Sequence, residues 1–563
     1  MYPEYGFFPR FIALSAPFWH SAQKDTIRKM SLALICLTVL QIGVAVVITD
    51  WSADLFNALE QHSMAWLLRQ IGLLVLIFIC NIGLSAAHLT VKRYLQIGWR
   101  KWLTTEVNAR WMSQGSHYLV THIDGQHDNP DGRIAEDIRI ATEEAINLAH
   151  SFFYSLLLLF SFAIILWNLS GKIVLDLWLV QIPISGYLVW LALAYAAGAT
   201  AFGWWIGKPL VKATDARQTV EANFRYALVS AREHSQAIAL IHGECNENKR
   251  FLQLFKKIAD VFQLQTLAWR NILMFSSGYS VLSMAFPILV SAPRYISGNI
   301  TLGALMQSAQ AFQHMAAALS WPVDNMAAVA QWRASAERVL GLTNALEKLE
   351  QEIDRPDPNR ILLEKNAGAS LKFENLQLTN VKGEALGEPL NAVIHLGDRV
   401  LIKGDSALAA KLFKAIAGLW PWGSGRIELP DDEPMFFMPP RPYLPDGSLR
   451  EAISYPTCTE PFSTEQLVGL MQLVDLEDLI PLLDSQDTWE KSLSREQQQR
   501  LGVVRLLLHK PKWVMLQEAL DSLSPENEVH MLRVIYNALP DVTLVSITNQ
   551  PSAEAFHDRR LNL

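Results

Sequence analysis

Six apolar runs crowd the first six-tenths of this chain, and they restrict its fold more than anything else in it. They cover residues 31–49, 71–91, 149–167, 178–206, 272–290 and 302–323. Each is close to the ~20 residues that a helix needs to cross the hydrocarbon of a bilayer. The first has Gln41 as its only strongly polar side chain, and the third contains Leu156-Leu157-Leu158-Leu159-Phe160. Any one run could be a buried helix of a soluble domain. Six in succession read as a membrane domain. The sixth carries Gln307, Gln310, Gln313 and His314. A polar spanning helix is expected to face a water-filled cavity rather than lipid. Gln307, Gln310, His314 and Trp321 are therefore candidate cavity lining, with helix-packing contacts as the other reading.

Composition agrees. Half of the 563 residues are hydrophobic, 18% are charged, and there are 18 tryptophans and 24 phenylalanines. The net charge of −7, with no long basic block, argues against a nucleic-acid partner. Cys36, Cys80, Cys245 and Cys458 are far apart and form no CxxC pair, so neither a metal site nor a disulfide framework is expected. Residues 1–29 are mixed in character and lack the pattern of a cleavable signal.

Loop charges give the orientation. Lys24, Arg28 and Lys29 precede the first run, and the next loop holds Asp50, Asp54 and Glu60 with no Lys or Arg. Residues 92–139 and 208–257 are basic, while the remaining short loops carry only Lys172 and Arg294. Basic and basic-poor loops alternate, which predicts both termini on the cytoplasmic side. The polar–apolar period of Gln218-Glu221-Phe224-Arg225-Leu228-Val229 predicts helices that continue out of the membrane.

The last third changes character. Residues 346–368 are charged, contain Pro356 and Pro358, and read as a linker. From residue 369 strands and helices alternate as in a P-loop domain. Leu493-Ser494-Arg495-Glu496-Gln497-Gln498-Gln499-Arg500 precedes a helix, and Trp513-Val514-Met515-Leu516 leads to Gln517-Glu518. This order resembles the signature loop, helix and Walker B strand of an ABC-transporter nucleotide-binding domain. The resemblance implies ATP and Mg²⁺ as ligands, and a site at which most of the working residues are changed.

A Walker A loop uses glycines so that backbone N–H groups wrap the phosphates, a lysine for the β/γ-phosphates and a hydroxyl for Mg²⁺. Here Gly404 is followed by Asp405-Ser406-Ala407-Leu408-Ala409-Ala410-Lys411. Counted forward, Ala410 takes the lysine place and Lys411 the hydroxyl place. Counted back, Ala409 and Ala410 take them. The loop reads as one residue short. Pro440 stands for the Q-loop glutamine, Glu496 for the signature glycine after Ser494, Gln517 for the Walker B aspartate and Asn549 for the switch histidine. Asp521-Ser522-Leu523-Ser524 departs from the usual D-loop order. Only Glu518 keeps its place, that of the general base. Phosphoryl transfer rests on positioning and charge neutralisation, so hydrolysis is expected to be weak or absent.

Asn129-Pro130-Asp131-Gly132-Arg133-Ile134-Ala135-Glu136-Asp137-Ile138, Val220-Glu221-Ala222-Asn223-Phe224-Arg225-Tyr226, Ile300-Thr301-Leu302-Gly303-Ala304-Leu305-Met306-Gln307, Gln331-Trp332-Arg333-Ala334 and Arg338 resemble motifs of the SbmA/BacA-like transporters. That resemblance implies a homodimer in a bacterial inner membrane. It also implies a peptide, a cobalamin-like molecule or another bulky polar solute as cargo, and either ATP or the proton gradient as drive. Proton coupling would need titratable groups near the cavity. Glu136, Asp137, Glu143 and Glu144 before the third run, Glu221, Asp215 and Glu233 after the fourth, and Asp324 after the sixth are the candidates. Arg133–Asp137 and Arg139–Glu143 at i,i+4 leave solvated ion pairs as the alternative.

The sequence thus predicts a cytoplasmic segment 1–29, a six-span all-α ABC exporter-type membrane domain 30–345, a linker 346–368 and a cytoplasmic α/β nucleotide-binding domain 369–563. The expected function is solute transport without efficient ATP hydrolysis. An ordinary ATP-driven transporter and a non-transporting receptor or scaffold are the rival readings.

Overall fold

A computed structural model describes residues 6–122, 129–177, 180–353, 360–366, 368–431, 435–457, 462–548 and 550–563. The chain divides into two compact units: residues 1–109 with 126–343, and residues 110–125 with 344–563.

The first unit is helical. After α1 (Phe7–Ser15) come α2 (Lys24–Glu60), α3 (Met64–Met112), α4 (Ile138–Ser170), α5 (Tyr187–Glu233), α6 (Glu244–Ile296), α7 (Leu302–Leu319) and α8 (Met326–Ile353). Among the described residues five helical runs are long and apolar enough to cross a membrane: α2, α3 with its C-terminal extension, the run ending in α4, α5 and α6. With 53 residues α6 is about 80 Å long, far beyond the ~30 Å of a hydrocarbon core. These helices expose apolar side chains such as Leu76, Phe78 and Ile79 on α3 and Phe160 and Ile164 on α4. Such surface calls for a cover of lipid or of another protein face.

The sixth expected run folds as α7, with 18 residues, and is not one of those five. It packs against α2, α4, α5 and α6, and Leu305, Ala309, Phe312 and Met315 are buried. Phe312 joins Phe162, Leu166, Leu188 and Met315 in the core of this unit. Two polar side chains of α7 are bonded to α2. Gln307 Nε2 donates to Asp50 Oδ1 at 2.6 Å and Gln310 Nε2 to Ser52 Oγ at 2.8 Å. His314 lies against Phe162 at 4.3 Å between centroids. Trp321 Nε1 donates to Ser151 Oγ at 3.0 Å. All four make helix-packing contacts.

The N-terminus of α7 is capped three times over, which satisfies amides that a helix leaves free. Thr301 Oγ1 accepts from Ala304 N, Glu60 Oε2 from Leu302 N, and Asn57 Oδ1 from Gly303 N. Gly303 is required for this approach: a Cβ there would sit 2.2 Å from Ala53 O and 2.4 Å from Asn57 Oδ1.

The fourth expected run began at residue 178, but α5 begins at Tyr187. Before it lies a hairpin, β1 (Lys172–Leu177) paired antiparallel with β2 (Val180–Ser185). Gly171 and Gly186, both at positive φ, bracket it, and Gly186 N donates to Gly171 O at 3.2 Å. The β-branched Ile173, Val174, Val180, Ile182 and Ile184 suit paired strands. An apolar run alone does not distinguish these two conformations.

The second unit is α/β. Part of the expected linker is ordered: α8 runs to Ile353, and β3 (Leu362–Asn366) begins the sheets. β3 pairs with β7 (Gly423–Pro430), which pairs with β4 (Ser370–Thr379), which pairs with β5 (Ala385–His395). The other sheet is parallel. Its second strand β6 (Arg399–Lys403) lies between the edge strand β11 (Arg559–Asn562) and the central strand β10 (Thr543–Ile547), followed by β9 (Trp513–Gln517) and β8 (Met435–Met438). Trp513 to Leu516 are buried on both faces of β9, as expected of an inner parallel strand. α9 (Ser406–Ile416), α10 (Arg495–His509) and α11 (Pro525–Ala538) complete the parts that matter for the site.

Candidate functional site

The turn from β6 to α9 is where a phosphate-binding loop would lie. A phosphate cradle needs several consecutive backbone N–H groups curved round one point, ahead of a helix N-terminus. Here Gly404 and Asp405 alone separate strand from helix. Gly404 packs against Leu563, whose N donates to Lys403 O at 2.9 Å. Asp405 is the N-cap, and its carboxylate accepts from Ala407 N at 3.2 Å. The helix end that would attract a phosphate already holds a carboxylate of its own chain.

Both counts made on the sequence fall inside α9. Ala409 is buried in the core and its N donates to Asp405 O, an ordinary first-turn bond. Ala410 follows it on the helix. Lys411 lies over the Trp420 ring, its Nζ 5.6 Å from the centroid. The lysine therefore makes a cation–π contact in place of a phosphate contact. Asp405 also lines a cavity of about 610 Å³ beside α9, walled chiefly by Leu378, Leu386, Leu408 and Leu412.

Across the turn, Ser406 Oγ donates to Glu518 Oε1 at 3.1 Å. Glu518 stands just past β9 at φ 46°, and its N donates to Ile547 O at 2.8 Å. Gln517 beside it brings no carboxylate for Mg²⁺. Asp521, further along, accepts from Thr548 Oγ1 at 2.9 Å. Burial pushes the Asp521 carboxyl above its ordinary range, and the nearby Glu518 charge adds to that.

The remaining motif positions are tied into their own fold. Ser494 caps α10 in a reciprocal capping box with Gln497. Glu496 Oε1 accepts from Arg500 Nη2 at 2.8 Å and from Asn527 Nδ2 at 3.0 Å. Pro440 O accepts from Gln499 Nε2 at 3.2 Å. Asn549 lies outside the described residues. Two residues that the motif reading missed organise the site. Gln499, 2% exposed, also accepts from Ser522 N at 3.0 Å, and its Nε2 is 3.5 Å from Glu518 O. Asp405 is the other, and its place just before an apolar helical period was a capping signal in the sequence.

The acidic candidates of the membrane unit are mostly ion-paired. Asp137, 6% exposed as a side chain, accepts from Arg133 Nη1 at 3.0 Å and from Arg338 Nε at 2.8 Å and Nη2 at 2.5 Å. Trp332 Nε1 donates to Ala141 O at 3.2 Å. Arg338 and Trp332 thus clamp α8 to the start of α4. Glu136 is exposed near Arg139, and Glu143 lies 3.6 Å from Arg100 and 3.9 Å from Arg139. Glu144 accepts from Asn147 Nδ2 at 3.3 Å. Glu221 pairs with Arg217 at 2.8 Å on an exposed face. Asp324, exposed, ends a short helix after α7 and lies near Tyr279. The structure does not gather these groups into one site. No group of three or more His, Cys, Asp or Glu suited to a metal ion occurs among the described residues.

Residues 19–295 match the family described as ABC transporter transmembrane region 2. Over 535 residues the chain is 27% identical to an uncharacterized ABC transporter ATP-binding protein of Haemophilus influenzae, covering 94% of this chain and 88% of that one. It is 28% identical over 559 residues to the inner membrane ABC transporter ATP-binding protein YddA of Escherichia coli K12, covering 96% and 95%. It is 28% identical over 622 residues to ABC transporter D family member 2, chloroplastic, of Arabidopsis thaliana, covering 98% and 86%. These relatives are ABC transporters, and the chain is similar to them in layout, with a multi-pass helical membrane region joined to an α/β domain. These relatives overturn the SbmA/BacA-like resemblance and point to a half-transporter of the D type. The peptide cargo, which rested on that resemblance, falls with it. Relatives named ATP-binding imply Mg-ATP, but the residues of this chain fit it poorly: the loop between strand and helix is two residues long, Lys411 lies over Trp420, and Gln517 brings no carboxylate.

Proposed function

We propose that the chain is half of a homodimeric ABC-type membrane transporter whose own nucleotide site does not turn over ATP. Both termini and the α/β unit face the cytoplasm, in keeping with the alternation of basic loops. The observation that carries this reading is the two-residue turn between β6 and α9, closed by the Asp405 carboxylate. A triphosphate entering there would meet Asp405 and Glu518 with no amide cradle to offset their charge, and Lys411, which lines the same cavity as Asp405, is engaged with the Trp420 ring. Ser406, the nearest hydroxyl to the strand, is spent on Glu518. The α/β unit then serves as a folded scaffold for the dimer. Calorimetric titration of the purified full-length protein with Mg-ATP, with phosphate release measured in parallel, tests this. No binding heat at millimolar nucleotide and no turnover above that of Glu518→Gln is the expected result. Micromolar binding with turnover that Glu518→Gln abolishes would establish an ordinary ATP-driven transporter instead.

A further inference from the structure

α3 is apolar along most of its spanning part, yet it carries His88, Lys92, Gln96 and Arg100 at four-residue intervals. That spacing keeps them on one side of a helix, and this side meets α4. Arg100 lies 3.6 Å from Glu143. Gln96 Nε2 donates to Asn147 Oδ1 and to Glu143 O, both at 3.0 Å. At the apolar end of the seam the rings of His88 and His150 meet directly, with their Nε2 atoms 2.8 Å apart and ring centroids 4.4 Å apart. His88 is 7% exposed.

Two imidazoles bonded to each other form a special arrangement. One Nε2 must carry the proton and the other must offer a lone pair. A further proton turns the acceptor into a second N–H donor, and the bond is lost. Like charge so close in a nearly dry seam is strongly disfavoured. The charges that face the pair are each other's and that of Lys92. Lys92 is met by Arg93 on α3 and by Glu144 on α4. Tyr154 stands 6.3 Å from the His150 ring. On the helices packed against α4, Asp50 of α2 is bonded to Gln307, and His314 of α7 lies on Phe162. A cavity of about 510 Å³ along Leu89, Arg93, Gln96 and Glu143 opens on the Gln96–Glu143 end of the seam.

We propose that His88–His150 is a proton-binding site of the membrane unit, neutral and closed in this structure, which takes up a proton from water as α3 parts from α4. The proton goes to the accepting Nε2, the inter-ring bond breaks, and closure returns the proton to water. Intramembrane ionisable groups commonly serve such roles. A coupling role in transport rests on the reading that the nucleotide site is idle; proton uptake does not.

The test uses full-length protein in nanodiscs without nucleotide, with spin labels at the exposed positions Ile82 and Phe160 in a background cleared of native cysteines. Distances are read by pulsed electron resonance between about pH 8 and about pH 5, the range of histidine switches. The wild-type pair is expected to gain a longer-distance population on acidification, and His150→Gln, which can still bond to His88, to lose that response. His88→Gln gives the same reading if His150→Gln does not fold. Identical distributions at both pH values would mark the pair as a fixed clasp and overturn the proposal, as would a full response in both variants. ATP turnover in the same samples reports separately on the nucleotide site.

Discussion

Asp405→Asn separates two reasons for which the β6–α9 turn would refuse ATP. Asparagine caps a helix about as well as aspartate, so the Ala407 N contact and the melting temperature should be kept. Only the charge goes. A phosphate about 5 Å from that carboxylate, at an effective dielectric constant of about 20, meets roughly 3 kcal/mol of repulsion per unit charge. That is on the order of 200-fold in affinity. If charge were the whole obstacle, Asp405→Asn would bring a millimolar affinity to micromolar. The structure argues that the backbone is the obstacle, because two residues cannot present the amides of a cradle. Calorimetric titration of Mg-ATP into Asp405→Asn should then show no more binding than wild type. A gain approaching the full factor would refute the argument from loop length and leave electrostatics as the sole block.

Removing the Asp137 carboxylate strands two arginines. Breaking a buried pair costs about 3–5 kcal/mol, and since Arg338 is 36% exposed the expected cost of Asp137→Ala is nearer 2 kcal/mol. Thermal unfolding of Asp137→Ala, Arg338→Ala and the double variant should show a second change much cheaper than the first. Additive losses would mean that the clamp is not a unit. Gly303→Ala should destabilise by about 1–3 kcal/mol through overpacking against Ala53 O, and Ala304→Gly, one position on, should not reproduce its effect on the α2–α7 contact. Glu528 is buried, accepts from Ser552 and lies near Asp521, and burial lifts its carboxyl above 4.5. A raised carboxyl favours the folded state at low pH, and that contribution is lost as pH rises from 4.5 through the folded value. Glu528→Gln should therefore raise the melting temperature at neutral pH and flatten its pH dependence above 4.5. An unchanged profile would remove Glu528 as the cause.

The missing charge at the metal position could be read from one residue, Gln517, because an amide brings no negative charge to Mg²⁺ in any conformation. The fate of Lys411 could not. It depends on where α9 starts, and that follows from Asp405 capping the helix and from Trp420 offering a ring at the right height. The family motifs misled for a related reason. Trp332, Arg338, Asp137 and Gly303 hold helices together, and such contacts serve any bundle of this architecture, whatever it carries. They are evidence for a fold and weak evidence for a cargo.

Taken alone, the sequence determined the membrane character, five of the six spans it suggested and the α/β nature of the last third. These follow from free energies that add along the chain, residue by residue, as apolar surface leaves water. Tertiary structure alone decided that α7 is an inner helix with Gln307 and Gln310 bonded to α2, that a hairpin precedes α5, and that a four-residue polar stripe on α3 brings His88 to His150. Each of these depends on a partner distant in sequence. The free energy of a polar group in an apolar place is set by the group that meets it.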